Sequence, residues 1–179
     1  IGQPDFATPD PAIEGNITAL KKNITQYAPT RGVPELLEQV AEKVKNRNKI
    51  HAEPSENIII TNGGSQALTL TFASIFNPGD ELLLFSPNFI SYFYLGPFFG
   101  ITVREIKRND DFSPDFNQLE KSITKKTKAI LINSPNNPTG YTFTAQEIRK
   151  LADIVLENDL YLISDEVYEN YIYDKGLEH

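Results

Sequence analysis

The feature that most constrains the fold is a regular alternation between short apolar runs and longer segments with helical spacing. Three of these runs lie at residues 81–85, 129–132 and 160–163. Continuous apolar runs are typical of strands that are buried on both faces. Helical segments between such strands indicate crossover connections in a parallel sheet. The sequence therefore predicts an α/β fold of three layers, in which a mostly parallel sheet carries helices on both faces.

Two further strands and five helices complete the predicted pattern. The additional strands are expected at residues 57–61 and 101–106. Apolar residues at helical spacing predict the helices. The predicted helices begin at Pro34, at Gly63, near Phe89, at Ser113-Pro114, which is expected to cap its helix, and at Thr144, which forms a capping-box match with Glu147.

Composition excludes several classes of function. The formal net charge is −7 and the basic residues are scattered, which argues against nucleic-acid and acidic-membrane partners. There is no cysteine, and His51 is effectively the only native histidine, so Cys–His catalysis and zinc sites are excluded. The absence of cysteine also favours a cytoplasmic protein. We therefore expect no membrane partner and no metal site.

The chain divides by composition into three parts. Residues 1–30 are rich in Pro, Gly, Asn and Thr and indicate an N-terminal arm with a short helix. Residues 31–176 carry the alternating pattern and are expected to form one domain. Residues 177–179, Leu-Glu-His, resemble the remnant of a histidine tag.

A glycine pair between a predicted strand and a predicted helix is the first candidate site. The segment is Gly63-Gly64-Ser65-Gln66. Glycines allow close approach of a ligand to the backbone, and the free N–H groups of a helix start attract anions. A phosphate cradle is therefore one interpretation. The other is a tight turn with Ser65 as the N-cap.

Polar groups that follow two of the apolar runs form the second candidate site. Asp165 and Tyr168 come after the run at 160–163, and Asn137 lies in a turn after the run at 129–132. Ligands of open α/β sheets bind at the carboxyl ends of the strands. Asp165 is then either a turn aspartate or the partner of a protonated ring nitrogen. Asn137 and Tyr168 could donate hydrogen bonds to the same ligand, or could be structural.

Aromatic residues are concentrated after the run at 81–85. Phe89 could provide a flat surface for stacking on an aromatic cofactor, whereas its aromatic neighbours are more simply core and interface residues. These neighbours are Tyr92, Phe93, Tyr94, Phe98 and Phe99.

Taken in order, six segments resemble the class I/II aminotransferases, the fold-type I pyridoxal-phosphate enzymes. The resemblance covers essentially the whole native chain and implies an incomplete aspartate-aminotransferase-like large domain. The six segments are Gly2-Gln-Pro-Asp-Phe6, Tyr27-Ala-Pro-Thr-Arg-Gly32 with Pro34-Glu-Leu36, Thr61-Asn-Gly-Gly-Ser-Gln-Ala-Leu68, Phe89, Asn133-Ser-Pro-Asn-Asn-Pro-Thr-Gly140 and Ser164-Asp-Glu-Val-Tyr168.

This resemblance implies pyridoxal 5'-phosphate as the cofactor, an amino acid and a 2-oxo acid as substrates, and a homodimer. It also implies a role for each matching residue. Gly64, Ser65 and Gln66 bind the cofactor phosphate, Phe89 stacks on the pyridine ring, Asn137 and Tyr168 bind its ring oxygen, Asp165 binds its nitrogen, Tyr27 reaches the phosphate in the partner subunit, and Gly2 lies beside the substrate.

The sequence also departs from the family pattern. Phe89 stands where Trp or Tyr is more often found, which keeps the stacking surface and removes a polar edge. In the family, the Schiff-base lysine lies a few tens of residues beyond the S-D-E-x-Y motif, and no lysine here sits in the S-x-x-K setting. We therefore expect a truncated large-domain fragment that contains no catalytic residue and is inactive alone.

For the parent protein we expect transfer of an amino group between an amino acid and a 2-oxo acid. Two alternatives share the scaffold. One is a pyridoxal-phosphate-dependent carbon–sulfur lyase, and the other is the cofactor-sensing domain of a transcription regulator.

Overall fold

A computed structural model of the chain describes residues 5–173. They fall into two compact units, residues 5–60 and residues 61–173. The predicted boundary after residue 30 falls inside the first unit and stays a prediction, and the suggested tag remnant lies outside the described residues. The first unit contains α1 (Asp10–Lys21), α2 (Pro34–Asn48) and α3 (Pro54–Asn57).

The strand predicted at residues 57–61 does not form in the structure. Residues 58–61 belong to no strand, and Asn57 is the last residue of α3. Among the described residues, Ile60 N forms a single backbone hydrogen bond to Arg31 O, at 2.8 Å, in place of a ladder. Ile58 is buried whereas Ile59 is 53% exposed. The prediction of a strand at 57–61 was wrong, because an apolar run becomes a strand only where a neighbouring strand pairs with its backbone.

The second unit is built on a four-stranded parallel sheet of order β2-β1-β3-β4. The other four predicted strands are confirmed, with bounds shifted by at most two residues. In chain order the elements are α4 (Gly63–Ile75), β1 (Glu81–Ser86), α5 (Ser91–Phe98), β2 (Thr102–Lys107), α6 (Phe116–Ser122), β3 (Thr127–Asn133), α7 (Ala145–Glu157) and β4 (Tyr161–Asp165).

Side chains of the central strands enter two separate cores, one on each face of the sheet. In β1, Leu83 and Phe85 pack with residues of α6 and α7, whereas Leu82 and Leu84 pack with residues of α4 and α5. All four are at most 1% exposed. Each such burial contributes on the order of 2 kcal/mol, so helices on both faces stabilise the same strands. The predicted three-layer α/β architecture is confirmed.

Two helix starts differ in how well the sequence predicted them. α7 has the predicted capping box, in which Thr144 and Glu147 exchange hydrogen bonds with each other's backbone N–H groups. α6 does not begin with a Ser113 cap. Its N-cap is Asp115, whose Oδ1 accepts from Gln118 N at 2.9 Å. A carboxylate at the N-cap accepts a hydrogen bond from the third helical N–H group more strongly than a distant serine can.

The topology places a crevice beside the central strands. β1 lies between β2 and β3, so the chain leaves β1 in one direction along the sheet and returns on its other side. This reversal is the switch point at which α/β sheets bind ligands outside the carboxyl ends of their strands. Asn133 at the end of β3 is paired in register with Asp165 at the end of β4. In the described part of the chain, no helix is long and apolar enough to cross a membrane.

Gly96 allows α5 to pack closely on β2. A Cβ atom at this position would lie 2.5 Å from Val103 Cγ2 and 3.3 Å from Ile101 O. We expect Gly96→Ala to lower the free energy of unfolding by about 1–3 kcal/mol, the usual cost of overpacking. Urea denaturation measures this. Gly15→Ala is the matched control, since a Cβ there meets nothing within 4 Å. Its stability should be unchanged or higher, and an equal loss in both variants would contradict the packing argument.

Glu81, at the start of β1, is expected to make stability depend on pH. Its Oε2 accepts from Thr124 Oγ1 at 2.6 Å and lies 3.4 Å from Arg104 Nη1. The Thr124 hydrogen bond and the Arg104 charge outweigh partial burial and hold the pKa of Glu81 below its ordinary 4.5. The unfolded chain therefore binds this proton more readily, so the stabilisation is present above the ordinary pKa and is lost as pH falls.

The expected result for Glu81→Gln is a lower free energy of unfolding at neutral pH. The difference from the unmodified chain should shrink as the pH falls below about 4.5. Urea denaturation across this pH range checks the trend. Glu157→Gln, an exposed position at the end of α7, serves as the control and should show no such trend. A difference for Glu81→Gln that stays constant with pH would contradict the argument.

Candidate functional site

A cavity of about 200 Å³ lies where the strand ends of the second unit meet the start of α4. It brings together six of the predicted site residues: Gly64, Ser65, Phe89, Asn137, Asp165 and Tyr168. Four more residues complete the lining: Leu68, Tyr92, Asn133 and Val167. The polar and aromatic groups therefore come from four separate parts of the sequence and converge on one space.

The start of α4 forms one end of this cavity. Helix α4 begins at Gly63, with Asn62 as the N-cap and no capping hydrogen bond from its side chain. Ser65 therefore lies inside the first turn and is not the N-cap. A Cβ at Gly64 would meet no atom within 4 Å, so the backbone here is open to a ligand. The N-terminal N–H groups of a 13-residue helix favour an anion at this end.

Gln66 is the member of the predicted phosphate-binding turn that does not line the cavity. Its Oε1 accepts a hydrogen bond from Asn62 N at 2.6 Å. This bond closes the turn that leads into α4. The contact predicted between Gln66 and a cofactor stays a prediction, and the observed contact is with the protein backbone.

Asp165 is held by a hydrogen-bond donor on each of its carboxylate oxygens. The Tyr92 hydroxyl donates to Oδ2 at 2.7 Å, and Val167 N donates to Oδ1 at 3.1 Å. The second bond gives Asp165 the geometry of a turn aspartate. The two interpretations from sequence are thus compatible, since a turn aspartate that lines a cavity can also accept from a ligand.

Tyr92 belongs to the site although the sequence predicted only a core or interface role. It lies in α5, its side chain is 1% exposed, and its ring meets the Phe89 ring edge-on with centroids 5.6 Å apart. Burial, followed by the hydrogen bond to Asp165, raises the pKa of Tyr92 well above its ordinary value. The phenol therefore remains a donor. An apolar helix rich in aromatic residues gives no sequence signal that separates Tyr92 from its neighbours.

Asn133 joins the two loops that carry the predicted ring-binding groups. Its Nδ2 donates to Asp165 O at 3.0 Å, and its Oδ1 accepts from Asn137 N at 2.7 Å. The side chain is 1% exposed. An amide that uses both its donor and its acceptor in a buried site fixes the groups on either side. The only sequence signal for this role is a polar residue at the very end of an apolar strand.

Three polar side chains in the cavity have hydrogen-bonding capacity to spare. Within residues 5–173, the Ser65 hydroxyl, the Asn137 side-chain amide and the Tyr168 hydroxyl bond to no other residue. Asn137 is bonded through its backbone N–H alone. These groups can therefore donate to a ligand without breaking a contact within the protein.

The turn that carries Asn137 is supported from the face of the sheet that α6 and α7 cover. The guanidinium of Arg108 lies 5.3 to 5.4 Å from the ring centroids of Phe85, Tyr141 and Phe143. Tyr141 O in turn accepts from Asn136 N at 2.9 Å. Burial lowers the pKa of Arg108 to about 10, which leaves it charged at neutral pH. Contact of a cation with aromatic rings is favourable. Arg108 therefore stabilises Tyr141, the residue after the turn to which Asn136 is hydrogen-bonded.

Besides Gln66, Tyr27 is a predicted site residue that does not line this cavity. Tyr27 lies in the first unit, between α1 and α2, and its ring is fully exposed. Its predicted contact with the cofactor of a partner subunit stays a prediction. Gly2 lies outside the described residues.

Comparisons with known proteins show sequence similarity to one family over nearly the whole chain. The model of a family described as "Aminotransferase class I and II" matches residues 1–178. The probable aspartate aminotransferase of Methanocaldococcus jannaschii is 42% identical over 175 residues, which cover 98% of this chain and 46% of that protein. The aspartate/prephenate aminotransferase of Thermus thermophilus is 42% identical over 175 residues, which cover 97% of this chain and 45% of that protein.

A solved structure is similar over the full chain. The aspartate aminotransferase from Thermus thermophilus with maleate has a TM-score of 0.95 and 41% identity, and the match covers 100% of this chain and 47% of that one. The chain thus spans about half the length of the curated relatives it matches.

The Asn133 bridge leads to a test of the site's rigidity. Asn133→Ala removes the acceptor of Asn137 N and should lower the free energy of unfolding by about 1–3 kcal/mol. Amide hydrogen exchange at Asn137 should become faster. Asn158→Ala, which removes one side-chain bond to Ile154 O at 2.8 Å, is the control and should leave exchange at Asn137 unchanged. Unaltered exchange in Asn133→Ala would show that the turn does not depend on the bridge.

Proposed function

The chain belongs to the family of class I and II aminotransferases, and we propose that the whole protein moves an amino group between an amino acid and a 2-oxo acid, with pyridoxal 5'-phosphate as cofactor. One observation carries this proposal. A carboxylate, an aromatic ring, free amide and hydroxyl donors, and the start of a helix all line the same cavity.

The chemistry of these groups fits the proposed cofactor. The start of α4 with Gly64 and Ser65 suits a phosphate, and Phe89 offers a flat apolar surface to a pyridine ring. A carboxylate that faces the cavity suits a protonated ring nitrogen. Asn137 is free to donate to the ring oxygen. Each functional group of a phosphorylated hydroxypyridine thus has a complementary group in the lining.

Tyr168 completes the proposed set on the side of Asp165. The two residues are three positions apart and line the same cavity, so Tyr168 can donate to the ring oxygen while Asp165 holds the nitrogen. When bound, the cofactor supplies an electron sink for the pair of electrons released at the substrate's α-carbon. Asp165 keeps the ring nitrogen protonated, and Asn137 and Tyr168 stabilise negative charge on the ring oxygen.

The proposed assembly is a homodimer. Tyr27 carries a fully exposed phenol, which is compatible with a contact to the phosphate in a partner subunit. The cytoplasmic location inferred from the absence of cysteine stays a prediction.

The proposal is tested in the whole protein by Asp165→Asn. Removing a preorganised charge opposite the ring nitrogen should lower kcat for transamination by about a hundredfold or more. Asp153→Asn, an exposed carboxylate on α7, is the control and should retain full activity. Formation of a 2-oxo acid without any amino acceptor would contradict the proposal and favour a lyase. Equal activity of both variants would contradict the role of Asp165.

The 179-residue chain alone is expected not to transaminate. None of the described lysines lines the cavity, so no amine is held next to the proposed ring site. Borohydride reduction in the presence of pyridoxal phosphate, followed by peptide mass mapping, should label several lysines weakly. One dominant labelled lysine, lost in Asp165→Asn, would contradict this expectation.

A further inference from the structure

The hydrogen bond between Tyr92 and Asp165 links a helix on one face of the sheet to the last residue of β4. Its length is 2.7 Å, and 73 residues separate its partners in the sequence. With Val167 N on the other oxygen at 3.1 Å, the carboxylate has one protein donor on each oxygen. Two donors at different oxygens fix the plane of a carboxylate as well as its position.

The same tyrosine also orients the stacking ring. Tyr92 N donates to Phe89 O at 3.2 Å, so the two residues belong to the same turn of backbone. Their rings meet at 84° with centroids 5.6 Å apart, an edge-to-face contact. Tyr92 thus contacts both the proposed partner of the ring nitrogen and the proposed stacking surface.

The direction of this hydrogen bond follows from burial. The phenol is 1% exposed, and its pKa is raised by burial and by the acceptor it faces. The proton of the pair therefore lies on the Tyr92 oxygen, and Asp165 Oδ2 accepts. A charge-assisted bond of this kind is stronger than a neutral one.

We propose that Tyr92 is a positioning residue whose hydroxyl holds the Asp165 carboxylate in the orientation that accepts from a protonated ring nitrogen. The inference rests on the proposed function and adds to it a residue that touches Asp165 and Phe89. Its hydroxyl acts through Asp165 and its ring through Phe89, so loss of the hydroxyl alone should affect only those ligand contacts that depend on the nitrogen.

The test uses two ligands that lack the reactive aldehyde and therefore need no lysine. One is 4'-deoxypyridoxine 5'-phosphate, and the other is its analogue with CH in place of the ring nitrogen. Calorimetric titration of the 179-residue chain with each gives a ratio of affinities, the nitrogen preference. Tyr92→Phe removes the hydroxyl and keeps the ring. Tyr141→Phe is the matched control, because that hydroxyl donates to Glu147 Oε1 at the same 2.7 Å.

Tyr92→Phe should reduce the nitrogen preference about three- to tenfold, the usual effect of losing one hydrogen bond. Tyr141→Phe should leave that preference unchanged. Replacement of Tyr92 by 4-aminophenylalanine keeps an N–H donor in place and should restore the preference. This rescue keeps the inference testable if Tyr92→Phe is too unstable to titrate.

Three results would overturn the inference and leave the proposed function standing. An equal loss of affinity for both ligands would give Tyr92 a purely structural role, and an unchanged preference would remove any role for its hydroxyl. A 4-aminophenylalanine variant without restored preference would likewise contradict it. If the unmodified chain shows no nitrogen preference or binds neither ligand, the proposed function fails, and the inference fails with it.

Discussion

The geometry of the site depends on one buried amide, that of Asn133. Parallel strands deliver their carboxyl ends to the same edge of a sheet, but the loops beyond those ends have no ladder to hold them. The Asn133 side chain connects the loops that follow β3 and β4. Its amide nitrogen donates to Asp165 O, and its amide oxygen accepts from Asn137 N. The sheet thus sets the spacing of the proposed ring-binding groups through the Asn133 side chain.

Much of this arrangement could be predicted from the sequence because it follows from local patterns. Continuous apolar runs predicted the buried strands, and the rule for strand ends placed Asn137 and Asp165 near one another. The strand predicted at 57–61 failed because the apolar pattern carries no information on whether a pairing partner exists. The cap of α6 was misplaced for a similar reason, since both Ser113 and Asp115 satisfy the local pattern and only the backbone selects Asp115.

The roles of Tyr92 and Asn133 could not be predicted, because both depend on contacts between distant parts of the chain. The partners of Tyr92 and Asn133 on β4 are 73 and 32 residues away. Without those partners, Tyr92 is one aromatic residue among several. The cavity itself lies on the face packed by α4 and α5, whereas Arg108 supports the Asn137 turn from the face packed by α6 and α7. Residues on both faces of the sheet therefore support this cavity, although its lining shares residues with the core on the α4 and α5 face.

The order of the site residues along the chain has a consequence for biosynthesis. The helix start suited to an anion is translated first, the aromatic surface second, the amide turn third, and Asp165 last. β4 pairs with β3 alone among the described strands, and its docking brings Asp165 to both Tyr92 and Asn133. A nascent chain can thus present the helix start suited to an anion well before the groups proposed to hold a pyridine ring have come together. In the proposed site, contacts to the ring nitrogen can then form only after β4 has docked.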